Sequence, residues 1–226
     1  MKRMLFNTSG HTFNRDFIIL NVRWYLQYKI SYRNLEKMAL DRGVVVDSST
    51  ICRWVIKFSP DLEKAVRKNK PSSGTSWRLD ETYIKVKGQW KYLYRAVDKE
   101  GQTVDYLLTA KRDRKAAKRF LKKAIKSNGL PEKINIDRSG ANTAAINDYN
   151  KEEKTKIEIR QNKYLNNIIE QDHRSIKQLC KATLGFQSFR TAQITLSGFE
   201  CMKILDKKQI FAGGKSPARH FYTLIK

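Results

Sequence analysis

The sequence predicts a mixed α/β domain behind a small all-α domain, on three observations. Up to about residue 62 the apolar residues recur at helical spacing, with no strand-like alternation. Three runs rich in aromatic and β-branched residues then follow one another between Trp77 and Leu108, with short turns between them. Beyond Asp113, helix-like and strand-like segments alternate, which builds a layered α/β domain and not a sandwich or a bundle. The expected boundaries are 1–62 for the helical domain, 63–76 for a basic linker, 77–204 for the α/β domain and 205–226 for a C-terminal tail.

Composition narrows the partner class. The chain has 226 residues, 40% hydrophobic and 11% aromatic, which supplies a substantial packed core and excludes a disordered chain. Lys and Arg number 46 against 22 Asp and Glu, a formal charge of +24, and the basic residues recur along the whole chain. A surface that repels itself so strongly is matched by a polyanion, and double-stranded DNA is expected ahead of an anionic membrane. No apolar run is long enough to span a bilayer and the N-terminus carries no apolar leader, so no membrane partner and a cytoplasmic, nucleoid-associated location are expected. Cys52, Cys180 and Cys201 are odd in number and scattered, which argues against a disulfide framework or a structural zinc site.

Residues 1–14 show no periodicity, although Phe6 and Phe13 can pack onto the segment after them. Arg15 to Gln27 is dense in apolar residues, as in a helix buried on more than one side. Ser31 caps a second helix with Leu35, Met38 and Leu40 apolar, and Gly43 ends it. Asp47 or Ser48 caps a third, with Ile51, Trp54, Val55 and Phe58 facing inward; Pro60 marks its exit, and Lys64 to Thr75 reads as a basic helix end running into a linker. Helix, turn and helix at this spacing is the helix-turn-helix unit, whose second helix enters the major groove. Ser49, Thr50, Arg53 and Lys57 then point outward at DNA.

Trp77 to Lys87, Trp90 to Val97 and Thr103 to Leu108 read as an antiparallel meander, turning at Lys87-Gly88 and at Asp98 to Gly101. Asp113 caps a helix from Arg114 to Ser127, apolar on one face and basic on the other, which Asn128-Gly129 ends. Ile134 to Ile136 is a short strand that stops at Asp137; a helix over 142–149 and a strand over Lys156 to Arg160 follow. The helix after that strand, Tyr164 to Lys181, has a stripe of Leu165, Ile168, Ile169, Ile176 and Leu179, with Glu170, His173 and Lys177 on another face. Three antiparallel strands, then helix, strand, helix, strand and helix, is the element order of ribonuclease-H-like folds.

Three acids from three of these elements carry the chemistry. Cutting and joining phosphodiesters needs an activated hydroxyl and a neutralised leaving oxygen, which two divalent ions about 3.5–4 Å apart supply. Mg²⁺ and Mn²⁺ take oxygen ligands, so Asp80, Asp137 and Glu170 are candidate catalytic and metal-binding residues. Each has a plainer reading beside it. Any single acid here can be a surface carboxylate, as Glu81, Asp98, Asp105 and Asp172 can, and Asp137 serves equally well as a helix N-cap. His173 is a metal-site neighbour, a phosphate contact or an ordinary polar helix residue.

The segments LDETYIKVKGQWKYLYRAVD, INIDRSGAN and YLNNIIEQDHRSIK, behind ISYRNLEKMALDRGVVVDSSTICRW, resemble the DDE transposases of short bacterial insertion sequences, in particular the cointegrate-forming insertion sequence six family. The likeness runs from about Phe13 to Ile204. It implies a catalytic triad at Asp80 in the DETY motif, Asp137 after the short strand and Glu170 in the NNIIEQDH helix. The interval 170 − 137 = 33 and a basic residue at 170 + 7, Lys177, both fit that class. Lys177 would contact DNA phosphate. The resemblance further implies two Mg²⁺ ions, replaceable by Mn²⁺, and binding of the element's terminal inverted repeats. It implies strand cleavage with strand transfer to target DNA, replicative cointegrate formation, and a homodimer or larger assembly. Two other readings remain open at this level: a transposase-derived DNA-binding regulator without catalysis, and another ribonuclease-H-like nuclease.

Overall fold

The computed structural model describes residues 6–137, 140–182, 185–210 and 216–225. In chain order these form α1 (Arg15–Gln27), α2 (Tyr32–Leu40), α3 (Ser48–Asn69), β1 (Ser76–Val86), β2 (Gln89–Asp98), β3 (Thr103–Thr109), α4 (Arg114–Asn128), β4 (Lys133–Asn135), α5 (Gly140–Glu152), β5 (Glu158–Arg160), a 3₁₀ turn (Lys163–Asn166), α6 (Asn167–Ala182), α7 (Phe189–Asp206) and α8 (Pro217–Leu224). They fall into two compact units, Met1–Lys70 with Gln178–Lys226, and Pro71–Lys177.

In the helical unit, side chains cap the helices as their residue types predict. Asn14, Ser31 and Asp47 each accept a backbone N–H of the following first turn, satisfying donors that a helix start leaves unpaired. The expectation for Pro60 is overturned. α3 runs through it to Asn69, because the apolar stripe continues beyond the proline with Leu62, Ala65 and Val66 buried. Burial of that further stretch outweighs the roughly 3 kcal/mol cost of an interior proline. The basic linker expected over 63–76 is therefore helical for its first half.

The C-terminal region also departs from the expected boundaries: residues 178 onward pack with the N-terminal helices. α7 lies against α1 and α3, and α8 against α7. Every residue from Thr195 to Met202 is buried, so α7 has no polar face and no periodic stripe by which to read it from sequence. Gly198 is where it comes closest to its neighbours. A Cβ there would sit 2.5 Å from Leu26 Cδ2 and 2.9 Å from Ser59 Oγ, and Leu26 is itself fully buried. Gly198→Ala is expected to destabilise the chain by about 1–3 kcal/mol, read as a lower urea midpoint with an unchanged slope. Parent-like stability would mean that the helices are not so closely apposed.

The α/β unit is a five-stranded sheet in the order β3-β2-β1-β4-β5, with β1, β2 and β3 antiparallel and β4 and β5 parallel to β1. This order is that of ribonuclease-H-like folds. One face carries Trp77, Leu79, Tyr94 and Ala96 against Phe120 and Leu121 of α4 and Ala145 and Ile146 of α5. Since strand side chains alternate, Asp80 and its cross-strand partner Arg95 project from the opposite face. β1 is central, so a polar side chain on it lands in the middle of the domain and not at its rim.

Candidate active site

Three segments of the α/β unit carry the predicted acids. Asp80 is on β1. β4 is parallel to β1 and ends at Asn135, level with Arg78; Asp80 and Asp137 each follow two residues later, 78 + 2 and 135 + 2. Neighbouring strands lie about 4.8 Å apart. Glu170 comes from the first turn of α6. Its helix starts where it does because Asn135 Nδ2 on β4 donates to Asn162 O at 2.9 Å and Asn166 Oδ1 at 2.6 Å, tying the 3₁₀ turn to the sheet.

α6 lies on the sheet with Ile169 and Ile176 of the predicted stripe buried, but the stripe departs from the expectation at two positions. Ile168, expected in the buried stripe, is 38% exposed, whereas His173, expected on the site face, is 4% exposed. The inward line is Ile169, His173 and Ile176. Two polar contacts across the interface account for His173 joining the inward line. Arg95, wholly buried on β2, ion-pairs with Asp172 at 2.5 Å, and His173 Nδ1 lies 3.5 Å from Asp80 Oδ2. A guanidinium inside the domain needs a counter-charge, so the helix turns Asp172 and His173 toward the sheet. Asp172 and Arg95 are thus structural residues that sequence reasoning passed over, because their pairing spans 77 positions.

Asp80 and Glu170 line one cleft of about 580 Å³, with Glu81, His173, Arg174 and Lys177 also on its wall. Asp80 holds its proton far more firmly than an ordinary carboxylate, with a pKa pushed up to about 7. Burial is the main cause, and the negative charges of Glu81, Asp137 and Glu170 add to it.

Asp137 stands apart from the other two in one respect. Its Oδ2 lies 3.7 Å from Nη2 of Arg112, whose guanidinium also ion-pairs with the buried carboxylate of Glu81. Asn142 Nδ2 donates to the second oxygen of Glu81 at 3.1 Å. Arg112 therefore draws Asp137 toward Glu81, and among the described residues no three His, Cys, Asp or Glu side chains are gathered closely enough to hold a metal ion. The donor set nevertheless fits a hard divalent cation. It is made of carboxylate oxygens, and the Asp80 carboxyl sits in a field of negative charge that a cation would relieve. Glu81 was missed from sequence: alternation along β1 sends it to the face opposite Asp80, where Arg112 and Asn142 meet it.

In the helical unit, Ser49, Arg53 and Lys57 are exposed at four-residue intervals along α3, with Thr50 half-buried beside them. Arg53 donates to Ser49 Oγ at 3.0 Å and Thr50 Oγ1 at 3.5 Å, and Lys57 Nζ is 2.7 Å from His11 Nε2. Among the described residues no helix is long and apolar enough to cross a membrane.

A family model described as a DDE domain matches residues 74–209. Over 197 residues, 87% of each chain, the sequence is 43% identical to the transposase for insertion sequence-like element IS431mec of Staphylococcus aureus strain Mu50. It is equally similar, over the same share of each chain, to the transposase for insertion sequence element IS257 in transposon Tn4003 of Staphylococcus aureus. Among solved structures, the catalytic core domain of BIV integrase aligns at 18% identity and a TM-score of 0.47, covering 67% of this chain and 95% of that one. Identity at the level of the two staphylococcal relatives, sustained over almost nine-tenths of each chain and joined by a family match that spans every strand of the sheet, means that this chain belongs to the DDE transposases of bacterial insertion sequences.

Proposed function

We propose that this transposase recognises the terminal inverted repeats of its own element through α3, and cuts and joins DNA strands at Asp80, Asp137 and Glu170. The observation that carries the reading is the meeting of Asp80 and Glu170 in one cleft, with Asp137 close enough for its charge to act on Asp80. Asp80, Asp137 and Glu170 would hold two Mg²⁺ ions, or Mn²⁺ in their place, once Asp137 exchanges Arg112 for the metal. The ions supply Lewis-acid activation of the attacking oxygen and neutralisation of the leaving one.

The chain's own residues do the positioning. His173 sits against Asp80 and holds its carboxyl toward the cleft. Lys177 lines the same wall two helical turns beyond Glu170, where it can pair with a phosphate of the scissile strand. Water attacks the phosphodiester at each end of the element, the bond to the 3′-oxygen breaks, and a 3′-hydroxyl leaves. That hydroxyl then attacks a phosphodiester of target DNA in a transesterification, so no covalent protein intermediate is needed. Replicative cointegrate formation by a homodimer or larger assembly follows from the same reading, as does a nucleoid-associated location.

Joining of end oligonucleotides to target DNA tests the proposal: product that requires Mg²⁺ is expected, and its absence from protein that binds the ends would overturn it. The Arg112–Asp137 contact favours one second reading, a DNA-binding regulator without catalysis, and the same assay decides between them. End recognition is tested separately. Arg53→Ala is expected to weaken binding to matched ends by about 5–100-fold while changing binding to scrambled ends much less, since base contacts specify and phosphate contacts do not. An equal loss on both would mean that Arg53 reads no base.

A further inference from the structure

The hairpin of β1 and β2 carries an exposed aromatic face that neither the three acids nor α3 uses. In its register Tyr83 stands opposite Tyr92 and Lys85 opposite Trp90, so all four side chains project from one side of the ribbon. Tyr83 is 46% and Trp90 58% exposed. Their ring centroids are 6.2 Å apart, nearly perpendicular, and Tyr83 lies 5.3 Å from Tyr92. Lys85 Nζ is 5.7 Å from the centre of the Trp90 ring. The tip turns through Lys87 and Gly88, with φ of 46° and 75°, a pair of positive values that leaves the Lys87 side chain in solvent. Tyr83 contributes to the lining of the cleft that holds Asp80 and Glu170, at its edge, while its ring projects from the face of the sheet opposite Asp80.

We propose that this face binds unpaired nucleotides of a DNA strand that emerges from the cleft, with bases stacked on Tyr83 and Trp90 and phosphates paired with Lys85 and Lys87. Aromatic faces hold any base, and lysines spaced between them follow the backbone, which is the chemistry of single-strand binding surfaces. A closed duplex keeps its bases stacked on one another and cannot use the rings, so the site selects frayed or single-stranded DNA next to the cut. Charge favours this occupant over a protein surface: lysines interrupt the aromatic row, and the chain as a whole carries +24. The inference rests on the reading of the cleft as the place where strands are cut.

The test uses the full chain in a chelating buffer, so that binding is measured without cleavage. The probes are a blunt duplex and the same duplex with a short single-stranded tail carrying 2-aminopurine. The parent is expected to bind the tailed duplex about 10-fold more tightly than the blunt one and to quench the 2-aminopurine by stacking. Trp90→Ala should lose both effects with blunt-duplex affinity unchanged, and Trp90→Phe should keep most of each. A parent with no preference for the tail, or a Trp90→Ala protein that loses affinity equally on both probes, would overturn the proposal. So would unchanged tail binding in Trp90→Ala with weakened self-association in sedimentation, which would assign the face to a second copy of the chain. Because no strand is cut, tail binding can stand when Mg²⁺-dependent joining fails, and joining can stand when tail binding fails.

Discussion

Asp80→Asn is expected to lower Mg²⁺-dependent strand joining by at least ~10³-fold while retaining binding to the ends of the element. The substitution keeps size and shape but removes the carboxylate that, with Asp137 just beyond β4 and Glu170 in the cleft, would hold the metal. A variant that joins strands at the parental rate would remove the catalytic assignment. The same variant has a second readout that does not depend on activity. In the folded chain the Asp80 carboxyl keeps its proton to about pH 7, against 3.8 for the free side chain, because burial and then the surrounding carboxylates oppose its charge. Between those two values the folded state binds a proton that the unfolded state has released, so folding is favoured by protonation. That contribution is complete below 3.8 and is lost as pH rises through about 7. In a chelating buffer the parent should therefore lose stability across this window by more than Asp80→Asn does. At pH 8 added Mg²⁺ should raise the melting temperature of the parent and leave that of the variant unmoved. Parallel pH profiles for the two proteins would show that Asp80 titrates like an exposed acid.

Arg95→Ala should cost about 3–5 kcal/mol of stability, more than Gly198→Ala. Arg95 is fully buried, and its partner Asp172 is nearly so, with a side-chain exposure of 10%. Truncating the arginine leaves a carboxylate inside the domain facing the place of the lost charge. Asp172 is also two residues from Glu170, so a helix released at this point presents the third acid of the site in the wrong place, and joining should fall together with stability. Arg95→Ala combined with Asp172→Ala tests the cause. If the unpaired charge is what destabilises, the double variant recovers part of the loss in urea denaturation. If the single variant matches the parent, the pair is not what holds α6 to the sheet.

The local rules that held in this chain are those of helix ends and strand alternation. Arg15–Gln27 was bounded to the residue by its apolar density and the turn after it, and Asp113 caps α4 through the N–H of Ala116 as its residue type implies. The three-strand meander, the short strand before Asp137 and the helix carrying Glu170 all occur where alternation and periodicity put them. Failures came where a distant partner outweighed a local preference. Pro60 breaks a helix in isolation, yet in this chain the buried stripe beyond it keeps α3 intact. α7, buried around its whole circumference from Thr195 to Met202, offers no polar face for a period to show itself.

Residue order by itself determined the succession of strands and helices as far as α6, the strong positive charge of the chain and the positions of Asp80, Asp137 and Glu170 along it. Those properties follow from side-chain chemistry and spacing over one element at a time. Only the tertiary structure decided that Asp172 and His173 of α6 meet Arg95 and Asp80 of the sheet, that Arg112 joins Asp137 to Glu81, and that Tyr83 and Trp90 remain exposed on the β1–β2 hairpin. The physical reason is common to all three: a buried charge or a ring takes its partner from across the fold, and spacing along one strand or helix carries no record of that partner.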